Sequence, residues 1–596
     1  MKTQILHQKK EIIKEFVNSG INVTPLILDI LLNLDDPLKV VKEIVKNVSF
    51  LPNFKGHLTE EIVEKISNKE LQKSLKSVLI KKIQSISAQE NFIEENEKQI
   101  LKSTDNATLK KVEQQISDRV DNTVEFEHQT LAKQEVLDDS SIYQNNTKIP
   151  MKNKTKRVII EGSKSSLTYH PIAKEIKFSC EVLKDPTGKL YTNGDYEDFY
   201  NLTQDKFNKL RKLMRKRPEV LSANNISNIL RLNNKIEVSV IGLVNSIRKT
   251  KNGNIFIVLE DLTNYMNVII HKNLENQDIV KLAETILSDQ MIYVEGTYNP
   301  AERGKSGILY GSYVSKIDIP RDYKPNLSPD PVSIALISDT HIGSKEFEEK
   351  LWTRFIKFLN GKIGNKNQRE MAGKIKYIII NGDLVDGIGV YPTQKSDLII
   401  SDIYDQFKKA SELLSGVPDY IKIFYSSGNH EPVRNAIPRP AVPKKYSAEL
   451  ENIDISCIGN PAIVKTHNVK TLIFHGDSLL DLNMLIPGLE NDKPVQTMIE
   501  LLKCRHLAPI YGKKTQIAPT NKDWLVIDDI PDIFHTGHIH INGMDYYNNI
   551  ALVNSGCFQS QTEFMNSLGI HPTPGILSII DLDSLKGKIL DLKNSN

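Results

Sequence analysis

The sequence is poor in cysteine. Four cysteines occur among 596 residues, and no two of them form a CxxC pair. A secreted disulfide scaffold or a zinc knuckle needs several closely spaced cysteines. The sequence therefore excludes both and indicates a reducing, intracellular setting. The four isolated residues are Cys180, Cys457, Cys504 and Cys557.

The sequence also lacks a long apolar run. A membrane helix needs about 18 or more consecutive apolar residues, and no stretch of this chain provides them. The opening MKTQILHQKKEIIKEF carries charges where a signal peptide would be apolar. We therefore expect a cytoplasmic protein with no membrane segment.

Neither sign of charge dominates. The chain has 77 Lys and Arg against 74 Asp and Glu, a net charge of +3. This bias is too small to indicate a polyanionic partner by itself. Any surface that binds nucleic acid must therefore be local.

The length and the uneven composition predict several domains. Residues 1–80 show helical spacing and predict a small helical domain, either a docking module or a domain that only packs on its neighbour.

Residues 81–157 are polar. Between 85 and 155 there is no glycine, and Phe92, Phe126 and Tyr143 are the aromatic residues. Burial of so little apolar surface cannot offset the conformational entropy that this segment would lose on folding. We therefore expect a flexible linker.

A connecting segment at 158–232 contains a basic helix. Its apolar residues recur at three- and four-residue spacing between 207 and 214. The apolar face of the helix can then pack against the protein while the basic face binds phosphates. The alternative is that the basic face is only exposed to solvent. The candidate nucleic-acid-binding residues are Lys209, Arg211, Lys212, Arg215 and Lys216.

Residues 233–320 alternate between apolar and polar positions. Five short strands are predicted, with a helical run near 278–287 between the third and the fourth. This order is typical of an OB-fold barrel, which often binds oligonucleotides. Because such barrels also act as protein spacers, and Phe256 and Tyr265 are the stacking candidates here, direct DNA contact stays open.

From 331 to 596, apolar strands repeatedly end in turns that carry Asp, His or Asn. Parallel strands deliver such turns to one edge of a sheet, where α/β enzymes place their sites. Any one turn alone is consistent with a capping carboxylate or a buried histidine, but five in order indicate a single site. The turns are Asp339-Thr-His341, Gly382-Asp383-Leu-Val-Asp386, Gly428-Asn429-His430, His475-Gly476 and Gly537-His538-Ile-His540.

These residue types favour a particular chemistry. Carboxylate oxygens together with imidazole nitrogens suit Mn²⁺, Fe²⁺ or Zn²⁺, whereas Mg²⁺ prefers an all-oxygen shell. A carboxylate shared by two ions holds them roughly 4 Å apart, a spacing suited to attack on phosphorus. The motifs therefore predict metal-dependent hydrolysis of a phosphoester.

The five motifs resemble those of the calcineurin-like metallophosphoesterase superfamily, which implies a C-terminal αββα sandwich. The whole arrangement of helical domain, linker, barrel and phosphoesterase domain resembles the small subunits of archaeal family-D DNA polymerases. Further segments similar to that family are Asp386-Gly-Ile-Gly-Val-Tyr-Pro392, Asn429-His-Glu-Pro-Val-Arg434, Pro438-Arg-Pro440 and Pro572-Thr-Pro-Gly575.

The resemblance implies roles for the motif residues. One metal would be held by Asp339, His341, Asp383 and His540, and the second by Asp383, Asn429, His475 and His538. His430 would protonate the leaving 3′-oxygen as a general acid. Asp386 and Arg434 would support the ligands or have a purely structural role, and His535 would be a core histidine. Many superfamily members have G-N-H-D where this chain has Glu431, which implies altered local geometry.

The resemblance also implies a function. We expect a proofreading 3′→5′ exonuclease that uses two divalent ions, most plausibly Mn²⁺. It would act on a primer-template or single-stranded DNA in a heterodimer or larger complex with a large catalytic subunit. The alternatives are a structural scaffold subunit and a free-standing repair nuclease. The repair nucleases place the phosphoesterase domain first, whereas this chain places it last.

Overall fold

The computed structural model describes residues 169–301, 306–392, 394–567 and 569–594, together with parts of 11–58. The chain divides into two compact units, residues 1–159 and 160–596. The predicted linker at 81–157 lies outside the described residues.

The first unit is helical where it is described. Helix α1 spans Pro25–Leu32 and α2 spans Pro37–Val48, and each starts with proline, whose fixed φ suits the first helical position. A short parallel pair joins β1 (Asn22–Val23) to β2 (His57–Leu58). The helical spacing predicted for this region is confirmed where it is described, and the core of the unit includes Ile12, Phe16, Ile27, Leu31, Val41 and Ile44.

The predicted basic helix is part of a longer helix, α3 (Tyr196–Met214). Asp195 caps its start by accepting a hydrogen bond from the amide of Asp198. The helix ends before Pro218, because a proline disfavours helical geometry in the residue before it. Upstream lies strand β3 (Cys180–Lys184), and α4 (Ile226–Leu230) follows.

Residues 236–316 form the predicted OB-fold barrel. Its elements are β4 (Ile236–Lys249), β5 (Ile255–Glu260), β6 (Tyr265–Ile270), α5 (Gln277–Glu284), β7 (Met291–Asn299) and β8 (Ile308–Lys316). The strands close in the order β4-β5-β6-β8-β7. In β5 the alternate residues Ile255, Ile257 and Leu259 are buried in the barrel. The helix lies between the third and fourth strands, as predicted.

The C-terminal part is built on two six-stranded sheets. The first sheet has the order β12-β11-β10-β9-β18-β19, with β9 to β12 parallel. The strands are β9 (Ser333–Ile337), β10 (Ile375–Asn381), β11 (Lys422–Ser426), β12 (Ile455–Ile458), β18 (Ile576–Asp581) and β19 (Gly587–Asp591).

The second sheet has the order β16-β17-β15-β14-β13-β3. Its remaining strands are β13 (Ala462–Thr466), β14 (Val469–Ile473), β15 (Ile533–Thr536), β16 (Gly543–Tyr547) and β17 (Ile550–Asn554). Alternate residues of the two sheets meet in one core, for example Leu336 and Ile379 with Ile473 and Val553. Strand β3, from the predicted connecting segment, pairs with β13 as the edge strand.

Helices cover both outer faces of the sheets, which confirms the αββα sandwich. The first sheet packs on α6 (Glu349–Leu359), α7 (Lys366–Lys374), α8 (Ile403–Leu414) and α9 (Lys444–Glu451). The second packs on α10 (Leu479–Leu485) and α11 (Pro494–Cys504), with the short α12 (Glu563–Ser567) beyond β17. Of the helices in the described ranges, none is long and apolar enough to cross a membrane.

A buried ion pair joins the barrel to the sandwich. The ammonium of Lys316 lies 2.7 Å from a carboxylate oxygen of Glu500, with the two side chains 3% and 10% exposed. It also donates to the backbone carbonyl and the hydroxyl of Thr285. Burial alone would raise the pKa of Glu500, but the charge of Lys316 lowers it below the ordinary value of 4.5.

We expect Glu500→Ala to lower the free energy of unfolding by about 3 kcal/mol at neutral pH, because it leaves a buried ammonium without its counter-charge. The contribution of the pair is present above pH 4.5 and is lost as the pH falls through the lowered pKa of Glu500. Denaturant titrations at several pH values measure this difference. Exposed Glu490, paired with Lys493, is the control, and Glu490→Ala should have little effect. An equal effect of the two substitutions would contradict the prediction.

Candidate metal centre

Five strand ends meet at one edge of the sandwich. Strands β9, β10 and β11 are parallel in the first sheet, and β14 and β15 are parallel in the second. A turn with functional side chains follows each strand directly, so the turns converge. The side chains brought together are Asp339, His341, Asp383, Asp386, Asn429, His430, His475, His538 and His540.

Several of these residues have an uncommon backbone conformation. Their φ angles lie between 51° and 69°, in the left-handed region that costs a non-glycine residue about 1 to 3 kcal/mol. Backbone bonds hold the turns in place: the amide of His341 donates to the carbonyl of Asp383 at 3.0 Å. Such strain is typical of functional sites. The residues concerned are Asp339, His341, Asp383, His538 and His540.

Two glycines leave room for the carboxylates. A Cβ at Gly428 would lie 2.2 Å from Oδ1 of Asp383, and a Cβ at Gly537 would lie 2.6 Å from Oδ2 of Asp339. Both distances are far inside van der Waals contact. The glycines of G-N-H and G-H-x-H are therefore required because a neighbouring loop approaches closely.

The first cluster joins the turns after β9 and β15. Nε2 of His540 lies 3.3 Å from Oδ1 of Asp339 and 3.2 Å from Nε2 of His341. Nε2 of His341 is 3.8 Å from Oδ2 of Asp383. These are the four residues predicted for the first metal, and their ligand atoms face one another.

The second cluster surrounds His475. Its Nε2 lies 3.2 Å from Oδ2 of Asp383, 3.1 Å from Oδ1 of Asn429 and 3.3 Å from Nδ1 of His538. These are the four residues predicted for the second metal. Oδ2 of Asp383 is close to both clusters, the position that a bridging carboxylate would need.

The potential ligand atoms of both clusters face one another at short distances. Nδ1 of His475 lies 2.9 Å from the carbonyl of Asn381, and since a carbonyl can only accept, this nitrogen carries the ring proton. Nε2 then faces two oxygens that also only accept. Oδ1 of Asp339 is buried without a hydrogen-bond partner among the described residues. Such an arrangement fits a bound cation, which would satisfy all of these atoms at once.

Electrostatics distinguish the histidines. Burial lowers the pKa of His538 to about 4, which keeps its ring neutral, as a metal ligand must be. Burial also opposes charge on His475, but the carboxylate of Asp383 raises its pKa to about 10. A cation that binds Nε2 of His475 would therefore displace a proton from it. Burial lowers the pKa of His535 to about 3, and its Nε2 meets the hydroxyl of Ser555. His535 is therefore a buried histidine bonded to Ser555, and it belongs to neither cluster.

His430 lies at the open side of the site. Nδ1 is 2.6 Å from the carbonyl of Asp386, so this nitrogen carries the ring proton and Nε2 is free. Nε2 lies 3.9 Å from Oδ2 of Asp383, and the side chain is 13% exposed. His341, Asp383 and His430 also form a third group whose spacing could hold an ion. His430 is therefore placed either to donate a proton or to bind metal.

Of the two residues predicted to support the ligands, Asp386 contacts a predicted ligand and Arg434 does not. A carboxylate oxygen of Asp386 lies 2.9 Å from Nδ1 of His341 and fixes the orientation of that ring. The amide groups of Gln394 and Gln559 donate to the carboxylate of Asp386 in turn. Arg434 instead donates to the carbonyls of Pro438 and Leu190, so it stabilises a loop rather than a ligand.

Glu431 organises the site in a way that the sequence did not reveal. Its buried carboxylate accepts hydrogen bonds from the amides of Asp383, Leu384 and Gly428 and from the hydroxyl of Tyr425. Burial raises the pKa of Glu431, with a further contribution from the charge of Asp383. This residue joins the loop of Asp383 to the loop of Asn429.

A second buried connection joins the loops after β11 and β14. The guanidinium of Arg439 makes a bidentate pair with the carboxylate of Asp477, two residues after His475. Burial would raise the pKa of Asp477, but Arg439 lowers it to about 2. The Pro438-Arg-Pro440 segment gave a family signal, but its spacing alone could not predict this partner.

The predicted basic face of α3 is partly occupied by internal contacts. Lys209 donates to the carbonyl of Asp523 and pairs with Asp205 at 2.7 Å. Arg211 donates to Asn225 at 2.8 Å. The remaining predicted residues are exposed, and with Asn208 and Arg211 they line a shallow cavity of about 330 Å³. They are Lys212, Arg215 and Lys216.

The barrel presents the two aromatic residues noted in the sequence. The guanidinium of Arg248 covers the ring of Phe256 at 4.7 Å, and Tyr265 is exposed. Contact of either residue with DNA stays a prediction.

Comparison with known proteins gives a consistent result. Residues 332–542 match the calcineurin-like phosphoesterase family, and residues 238–311 match the OB-fold nucleic acid binding domain. The DNA polymerase II small subunit of Methanothermobacter thermautotrophicus is 38% identical over 69% of this chain and 83% of its own length. Its counterpart in Pyrococcus horikoshii is 39% identical, over 71% and 68%. That of Methanocaldococcus jannaschii is 37% identical, over 70% and 70%.

Proposed function

Because this chain belongs to the family of DNA polymerase II small subunits, we propose that its phosphoesterase domain is a two-metal 3′→5′ exonuclease acting on DNA. The observation that carries the proposal is the pair of clusters around Asp383, whose Oδ2 lies 3.8 Å from Nε2 of His341 and 3.2 Å from Nε2 of His475. The family itself implies divalent metal ions.

Seven residues would hold the two ions, and Asp383 would bind both of them. Asp339, His341 and His540 complete the first set, and Asn429, His475 and His538 complete the second. Mn²⁺ suits this mixture of nitrogen and oxygen donors, and Fe²⁺, Zn²⁺ and Mg²⁺ are the alternatives. When bound, the ions would polarise the scissile phosphoryl group and lower the pKa of the attacking water.

The protein's own groups orient the substrate and move the proton. The carbonyl of Asp386 fixes the ring of His430 through Nδ1. This leaves Nε2 directed at the open side of the site. In the doubly protonated ring Nε2 also carries a proton, which it can give to the leaving 3′-oxygen. The exposed basic residues of α3 would guide the DNA strand through contacts with its phosphates, and the barrel would guide it through stacking.

A large catalytic subunit is the proposed partner. No polymerase motif was found in this sequence, and the relatives are named as small subunits of a DNA polymerase. Removal of nucleotides at a primer terminus would then serve proofreading during replication.

The test is to incubate the full chain, alone and with its large subunit, with Mn²⁺ and labelled single-stranded DNA. We expect a 3′ label to be released at once as a mononucleotide, whereas a 5′ label should give a ladder of shortening products. EDTA should abolish both, and Mn²⁺ should restore them.

Intact DNA after incubation with the metal-loaded chain would contradict the proposal. The scaffold alternative predicts no bound metal at all, so elemental analysis separates it from an exonuclease. Release of a 5′ label first would instead reverse the direction of degradation.

A further inference from the structure

An exposed apolar ridge lies beside His430, in the loops after β10 and before α8. Its tips are Ile388 and Ile399, which are 50% and 70% exposed. Val390 and Ile400 are half-buried behind them. Large apolar side chains at the mouth of a centre built for phosphate need an explanation, because neither metal binding nor proton transfer uses them.

The ridge is attached firmly to the catalytic loop. The side-chain amide of Gln406 donates to the carbonyls of both Gly387 and Ile400, which brings the two loops together. A Cβ at Gly387 would lie 2.1 Å from the carbonyl oxygen of His430. The base of the ridge is therefore in direct contact with the backbone of His430.

Two exposed lysines lie in the segments that form or contact the ridge. The backbone amide of Lys345 donates to the carbonyl of Asp397, and Ser344 pairs with Leu398 in an antiparallel bridge. Lys345 thus lies beside Ile399, and Lys395 lies in the same loop. Both lysines are exposed and have no ion pair within the described part of the chain. An apolar surface with exposed cations nearby is complementary to a nucleobase and its adjacent phosphates.

We propose that this ridge binds the nucleobase of the nucleotide that carries the leaving 3′-oxygen. The inference rests on the proposed exonuclease function, since His430 marks the side from which that oxygen departs. A nucleobase lies within one nucleotide of its own 3′-phosphate. With the scissile phosphate at Asp383, this base would lie on the side of His430, where Gly387 joins the ridge to the backbone of that residue.

The ridge determines specificity for the structure of the DNA end. Aliphatic side chains offer no hydrogen bonds, so they bind any base through its apolar face. In a paired end that face is covered by stacking, and exposing it requires a base pair to open. The ridge therefore favours single-stranded or mismatched 3′ ends over paired ones.

The experiment compares the double variant Ile388→Ser/Ile399→Ser with the wild-type full chain. The control is Ile589→Ser, which changes a comparably exposed isoleucine on the edge strand β19. Binding is measured in EDTA, without hydrolysis, using single-stranded DNA with 2-aminopurine at the penultimate 3′ position. Hydrolysis is measured in Mn²⁺ on the same oligonucleotide and on bis-p-nitrophenyl phosphate, a phosphodiester without bases.

We expect about tenfold weaker DNA binding by the double variant, because the apolar contact with the base is lost. The ratio of kcat/KM for the oligonucleotide to kcat/KM for the small diester should fall about tenfold, mainly through KM. The preference for mismatched over paired 3′ ends should shrink. The control should match the wild type, and a thermal melt checks that the double variant is folded.

Wild-type DNA binding and end preference in a folded double variant would overturn the proposal. So would loss of large-subunit association with normal DNA binding, which would make the ridge a protein-docking surface. If the wild type hydrolyses neither substrate, the exonuclease proposal fails, while the binding measurement in EDTA still decides whether the ridge contacts the base.

Discussion

Replacement of His430 with alanine is expected to reduce kcat for DNA hydrolysis by about 10²- to 10⁴-fold, the range typical of a lost general acid. The leaving 3′-oxygen must otherwise take its proton from water. His430 is well placed for this role because the carbonyl of Asp386 occupies Nδ1 and leaves Nε2 free. Single-turnover hydrolysis of 3′-labelled DNA in Mn²⁺ measures the effect.

Metal content separates proton donation from metal binding. His430 also belongs to a group with His341 and Asp383 that could hold an ion. If His430 acts as the acid, His430→Ala should keep the metal stoichiometry of the wild type. The control is His170→Ala, which changes an exposed histidine outside the site. Unchanged hydrolysis, or loss of an ion from His430→Ala, would contradict the assignment.

Asp383→Asn is expected to have the second large effect, on metal binding itself. Oδ2 of Asp383 lies 3.8 Å from Nε2 of His341 and 3.2 Å from Nε2 of His475. The substitution keeps the shape but removes the negative charge shared by both clusters. Because loss of even an outer partner of a ligand typically costs 10- to 100-fold in affinity, we expect metal affinity to fall by more than about 100-fold and hydrolysis to fall with it.

Elemental analysis after gel filtration measures the bound metal, and titration with Mn²⁺ measures the affinity. The control is Asp492→Asn, an exposed residue with the same change of charge. If the Asp383→Asn variant retains two tightly bound ions, the carboxylate of Asp383 does not bridge them. The two sets would then be independent sites.

Much of the fold was predictable because its signals are local. Alternation of Ile255, Ile257 and Leu259 predicted a barrel strand, and strands buried along their whole length, such as β10, predicted a sheet covered on both faces. The turns after these strands predicted which residues converge. Parallel strands guarantee that convergence whatever the intervening sequence.

The supporting contacts were not predictable because their partners are distant in sequence. Glu431 stood out as a departure from the family pattern, yet its hydrogen bonds to Asp383 and Leu384 cross between loops that only the fold brings together. Strand β3 escaped prediction for another reason. It lies at a sheet edge with four exposed residues out of five, so it has no apolar alternation.

The position of β3 changes how the chain must be divided. Because β3 pairs with β13 and precedes the barrel, the chain enters the sandwich, leaves it to build the barrel, and returns at β9. The barrel is therefore an insertion within the phosphoesterase fold. It is connected to that fold at both ends and is not a separate domain that precedes it. A fragment beginning at residue 331 would lack one strand of its own second sheet and would expose β13 as an unpaired edge, open to aggregation. The smallest piece of this protein that keeps the second sheet complete therefore begins before the barrel.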